Sequence, residues 1–122
     1  MARPVHFEIP ANDPQKLMDF YAAAFGWQFS KWPGPTDYWL ATTGDASEPG
    51  INGGILQKRD PAQPCVNTVG VANLDETLKI VEANGGKIAL PKMAVPGVGW
   101  LAYAMDVEGN MIGMMQMDPG AK

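Results

Sequence analysis

The sequence contains one histidine and one cysteine in 122 residues. A lone Cys65 closes no internal disulfide, and one cysteine completes no zinc or iron–sulfur ligand set. The expected role of Cys65 is a half-buried apolar filler at the start of a strand. No nucleophile–histidine–acid set is visible beyond His6 itself. Positive charge is also scarce: nine Lys and Arg stand against thirteen Asp and Glu, the net charge is −4, and the longest basic run is Lys58-Arg59. That argues against nucleic acid, whose affinity depends on clustered cations meeting phosphates. No apolar run is long enough to span a bilayer, and the opening residues hold no apolar leader segment. No membrane partner is therefore expected, and a reducing cytoplasm is the expected setting. Gly97-Val98-Gly99 and the glycines of 50–54 lack the Lys-Ser/Thr of a phosphate loop, which excludes that route to nucleotides.

What the chain has is an internal repeat. Val5-His6-Phe7-Glu8-Ile9-Pro10, Asp13-Pro14 and Phe25-Gly26-Trp27 form one plan, echoed by Val66–Val71, Asn73-Leu74 and Asn84-Gly85-Gly86. Asp13 predicts a helix cap, with Pro14 at the first helical position, where its missing N–H costs nothing. Leu17, Phe20, Tyr21, Ala24 and Phe25 then define one apolar face, and Gly26 a left-handed stop. In the second half Asn73 and Glu76 read as a capping box. Leu74, Leu78 and Val81 form the stripe with Ile80 beside it, and Gly85 closes the helix. The caps lie 60 residues apart and the stops 59. Trp39-Leu40-Ala41 recurs at Trp100 after 61 residues, and Gly54-Ile55-Leu56-Gln57 recurs as Gly113-Met114-Met115-Gln116 after 59.

Each half thus reads strand, helix, then three strands, with repeat one over about 4–60 and repeat two over about 65–118 of a single domain, 1–122. The further strands are expected at 28–32, 37–43 and 50–58, and at 87–93, 99–106 and 110–117. Val107-Glu108-Gly109-Asn110 is a tight hairpin turn.

A strand carrying His6, Asp13-Pro14 seven residues on, and a helix ending Phe25-Gly26-Trp27 resembles the opening module of the vicinal oxygen chelate superfamily. This is the group of glyoxalases, bleomycin-resistance proteins and extradiol dioxygenases. The closing stretch, Val95–Trp100 with Asp106–Asn110 and Gly113-Met114-Met115-Gln116, is similar to that family's final hairpin. The resemblance implies an α+β fold of two βαβββ repeats, with curved mixed sheets forming an open cup and the helices outside. It also implies a divalent ion held by His on the first strand, Glu on the fourth, His on the fifth and Glu on the eighth. Carried over position by position, those places hold His6, Gly54, Val66 (Asn67 after a one-residue slip) and Gly113. Slippage could recruit Glu8 or Gln116, but Gln116 and Gly113 differ in strand parity. Three of four positions lack a ligating side chain, so the expectation is no metal and no cofactor.

His6 remains open between a general base, a hydrogen-bond donor to ligand and a satisfied remnant on the wall. Met111, Met114, Met115 and Met117 suit either an adaptable pocket or an apolar core. Trp32, Trp39 and Trp100 suit either a stacking surface or packing between modules. The reading is a small-molecule binding protein of the bleomycin-resistance kind, for an apolar or aromatic ligand, lined by His6, Glu8, Trp39, Leu56, Thr68, Trp100, Met115 and Met117. The rival is a lyase, isomerase or dioxygenase acting on a small carbonyl or phenolic compound, with His6 catalytic as base or metal ligand. A homodimer accords with the family's habit of pairing modules between chains.

Overall fold

The computed structural model describes residues 2–122. Within them run β1 (Arg3–Ala11), α1 (Pro14–Phe25), β2 (Gln28–Lys31), β3 (Tyr38–Thr42) and β4 (Asn52–Gln57). The same order follows in β5 (Val66–Gly70), α2 (Leu74–Ala83), β6 (Lys87–Val95), β7 (Gly99–Met105) and β8 (Met111–Met117). This is α+β with two βαβββ repeats, as the spacing predicts. Most strands stop a residue or two inside the expected bounds, while β6 runs on to Val95. The chain divides into two compact units. One holds residues 6–65; the other holds residues 66–122 with the opening stretch up to Val5.

In the first unit the strands lie in the order β2-β3-β4-β1. Only β1 and β4 are parallel; β2 with β3 and β3 with β4 are antiparallel. Asp13 caps α1 by accepting from the Lys16 amide at 3.1 Å, and Pro14 occupies the first turn. Gly26 ends the helix at φ 76, a conformation that a side chain would oppose, and its N–H donates to the Ala22 carbonyl. The core beneath the helix is Ala11, Met18 and Ile55, backed by Ile9, Leu17, Phe29 and Trp39. The expected apolar face of α1 needs correction. Met18 is its buried residue, whereas Phe20 and Phe25 are 58% and 64% exposed. Tyr21 turns instead onto Trp27, with ring centroids 4.7 Å apart and planes within 9°.

In the second unit the order is β5-β8-β7-β6, with β5 and β8 parallel and the rest antiparallel. Leu74, Ala102, Ala104 and Met114 form its core, with Val71, Leu78, Val81, Ile88, Trp100 and Ile112 around them. Asn73 caps α2 through the Glu76 amide at 3.1 Å. Among the described residues the Glu76 side chain makes no return bond, so this is a cap rather than a full capping box. Asn84 occupies the C-terminal cap and Gly85 follows at φ 96. Ile80 lies outside the stripe at 62% exposure. The β7–β8 turn is tied by Asp106, whose carboxylate accepts from the Glu108 and Asn110 amides at 2.8 and 2.9 Å. The Asn110 and Glu108 bonds hold the Asp106 carboxyl below its ordinary pKa. Cys65, expected half-buried, is exposed. No helix among the described residues is long and apolar enough to cross a membrane.

Candidate functional site

Strand register decides which residues share a face. In β1 and β4, Glu8 pairs with Gly54 and Pro10 with Leu56; in β5 and β8, Thr68 pairs with Gly113. Thr68 is therefore the counterpart of Glu8, and Val66 that of His6. The register selects Val66 over Asn67, in line with the count from the helix caps. Paired residues project to the same side and neighbours alternate. His6, Glu8, Gly54 and Leu56 thus share one face with Tyr38, which pairs with Leu56. The opposite face carries Ile55 and Trp39 into the core under α1.

The two tryptophans of the expected ligand set consequently lie elsewhere. Trp39 packs with Ala11, Met18 and Ile55, and Trp100 packs against Leu74, Ala102, Ala104 and Met114. Trp100 Nε1 also donates to Asp118 at 2.9 Å, which lowers that carboxyl's pKa. A lysine lies over each ring, Lys31 at 5.8 Å from Trp39 and Lys92 at 5.1 Å from Trp100. In the second unit Thr68 is buried and shares its face with Met115 and Met117. Met115 is half-buried, and Met117 stands 71% exposed at the strand end. Gln116, a possible substitute ligand by strand slippage, projects to the helix side and accepts from the Leu74 amide at 2.8 Å. Its counterpart Gln57 donates to the Asn12 carbonyl at 3.0 Å. Both glutamines clasp the chain where it enters a helix.

Tyr38 stands outside the ligand set expected from the sequence. Its hydroxyl lies 2.6 Å from His6 Nε2, with the rings 6.3 Å apart and within 16° of parallel. Burial pushes the His6 pKa below its usual 6.5, and the Glu8 carboxylate partly opposes that shift. In the tautomer protonated at Nδ1, a neutral imidazole can accept a hydrogen bond from the phenol hydroxyl at Nε2. Gly54 makes this arrangement possible, because a Cβ there would run into the Tyr38 hydroxyl and ring. Tyr38 also lines an open cleft of about 330 Å³, together with Thr36, Asp37, Leu56, Gln57 and Arg59.

The family's divalent ion does not fit this donor set. The four positions offer one imidazole, an apolar valine and two glycines, and a phenol fills the space of a side chain at 54. No group of three or more His, Cys, Asp or Glu able to hold a metal ion occurs among the described residues. Fewer than three protein donors give a divalent ion little affinity.

Several solved structures share the fold. A methylmalonyl-CoA epimerase in complex with methylmalonyl-CoA and NH4+ superposes with a TM-score of 0.71 at 13% identity, over 100% of this chain and 99% of that one. The methylmalonyl-CoA epimerase of Mycobacterium tuberculosis gives 0.70 at 12% identity, covering 95% of this chain and 88% of its own. A glyoxalase I mutant from Zea mays gives 0.70 at 24% identity; the match covers 95% of this chain but 44% of that longer one. No curated protein matches the sequence. Residues 3–114 match the family described as Glyoxalase/Bleomycin resistance protein/Dioxygenase superfamily, so the chain belongs to that superfamily.

Proposed function

We propose that this protein binds a small organic molecule on the face of β1, β3 and β4 that bears His6, Glu8 and Tyr38, without a resident divalent ion. The observation that carries the reading is the Tyr38 hydroxyl, which sits against Gly54 and bonds to His6. A hydroxyl bonded to a neutral imidazole offers polar recognition where the metalloenzymes of the superfamily would offer a metal. Leu56 and the Tyr38 ring add apolar wall beside it. His6 is the sole histidine, so its imidazole proton resonance reports on this face without assignment work. A screen of aromatic and carbonyl compounds should shift that resonance saturably, while zinc, manganese or cobalt at micromolar concentration should leave it in place. Stoichiometric divalent ion in the purified protein, lost in His6→Ala, would overturn the reading.

The neutral His6 bonded to a phenol also favours a second reading. Such a pair can take up and return a proton, as a lyase or isomerase of a small carbonyl compound requires. Deuterium exchange from solvent into a C–H next to a carbonyl, abolished by both His6→Gln and Tyr38→Phe, would establish it. Its absence across a panel of α-carbonyl compounds would remove it.

A further inference from the structure

We infer that the cleft beside Tyr38 is an anion subsite, and that the ligand carries a carboxylate or phosphate group held by Arg59. The inference rests on the reading of the His6–Tyr38 face as the ligand site, and it names the chemistry of that ligand. Two charged side chains line the cleft, Asp37 and Arg59. Asp37 is already answered, because its carboxylate lies 3.2 Å from Lys31 Nζ. The Arg59 guanidinium has no hydrogen bond or ion pair among the described residues, which leaves the cleft one uncompensated positive charge.

The backbone around Arg59 is held rather than loose. Its N–H donates to Gln63 Oε1 at 2.8 Å, and the Gln63 N–H donates to the Asp60 carbonyl at 2.9 Å. The Asp60 carboxylate accepts from the Ala62 amide at 2.8 Å and makes no ion pair with Arg59. The arginine therefore leaves a hydrogen-bonded turn with its fork uncommitted, the geometry that planar carboxylates and phosphates match. Leu56 and the Tyr38 ring supply apolar wall in the same cleft, and its volume of about 330 Å³ suits a small molecule. An acid of modest size can thus place its anionic end at Arg59 and its body along Leu56 and Tyr38, whose hydroxyl reaches back to His6.

The probes are benzoate, phenyl phosphate and the neutral isostere benzamide, titrated against wild type, Arg59→Ala and Arg59→Lys while following the His6 resonance. Arg59 is exposed and its side chain makes no internal bond, so the variants should fold, as far-UV circular dichroism would verify. At least one anion should bind about tenfold tighter than benzamide in wild type. Arg59→Ala should erase that preference, and Arg59→Lys should restore part of it. Preference for benzoate over phenyl phosphate marks a carboxylate ligand, and the reverse marks a phosphate ester. Benzamide binding as tightly as both anions, or an anion preference that survives Arg59→Ala, would overturn the anion subsite and leave the ligand-binding reading intact. If none of the three probes moves the His6 resonance, the anion subsite falls, while the ligand-binding reading is decided by the wider screen of aromatic and carbonyl compounds.

Discussion

The two repeats share their scaffolding and differ in their polar chemistry. Gln57 and Gln116 each clasp a helix entrance. Lys31 covers Trp39 as Lys92 covers Trp100, and each lysine also pairs with an aspartate, Asp37 or Asp75. Asp13 and Asn73 cap their helices through the same kind of bond. The open faces diverge. The first repeat carries His6 and Glu8 with Tyr38 over Gly54, whereas the second carries Val66 and Thr68 with Thr68 and Tyr103 beside Gly113. Whatever recurs between the halves holds the fold, and the His6–Tyr38 pair, on one face of the first unit, does not recur.

Equal scaffolding should mean comparable losses when either core is cut. Ile55 and Leu74 are both fully buried, so Ile55→Ala and Leu74→Ala should each cost roughly 3 kcal/mol, read from urea unfolding midpoints. A cost near zero in one half would show that its helix and sheet are not held as the structure has them.

The glycines should separate the halves. An alanine Cβ at Gly54 meets the Tyr38 ring, while at Gly113 it meets Thr68 Oγ1 at 2.9 Å and the Tyr103 ring at 3.3 Å. Both changes overpack, at a cost of about 1–3 kcal/mol. Gly54→Ala should cost more and shift the His6 resonance, because the phenol must leave the imidazole. An unchanged His6 signal in Gly54→Ala would mean that the Tyr38 contact is not what that glycine protects.

Proton linkage sharpens the same contrast, since the second unit has no histidine. The folded-state pKa of His6 lies below its ordinary 6.5. Between those two values the unfolded chain binds a proton that the folded chain refuses. Stability should therefore fall as pH drops below about 6.5 and level off beneath the folded value. His6→Gln should flatten this segment of a stability–pH curve. Persistence of the slope would assign it to carboxylates instead.

The repeat was legible because its signals are local. Asp13 and Asn73 act through side chains on the turn that follows them, Pro14, Gly26 and Gly109 act through their own backbone, and the spacing between them alone points to Val66 as the partner of His6. The face taken by each aromatic residue was not legible. In β3, Tyr38, Trp39, Leu40 and Ala41 are all apolar enough for either side, so alternation has no phase until the pairing with β4 sets it. In the sequence Trp39 therefore reads as a ligand residue, while Tyr38 does not stand out. One usable signal was present in the repeat. Trp39 recurs as Trp100 and thus belongs to the scaffold, whereas the place of Tyr38 in the second half falls on Gly99. Phe20 and Phe25 differ for another reason: a helical stripe has no fixed edge, and both rings lie against Tyr21 at 5.3 and 6.0 Å while staying largely exposed.

The smallest expected difference lies at the helix entrances. The first turn of α1 contains no acidic residue, so the Asp13 carboxylate is the one negative charge there facing the positive end of the helix dipole. The first turn of α2 already holds Asp75 and Glu76 behind the neutral cap Asn73. Asp13→Asn keeps an accepting oxygen for the Lys16 amide but removes that charge, which should cost about 0.5 kcal/mol and shrink in high salt. Asn73→Asp adds a third negative charge beside two, and repulsion should cancel what the dipole offers. Thermal unfolding of both variants at low and high ionic strength would test the pair. A salt-independent loss in Asp13→Asn would mean that the cap acts through its hydrogen bond alone, and the two entrances would then be alike in mechanism as well as in geometry.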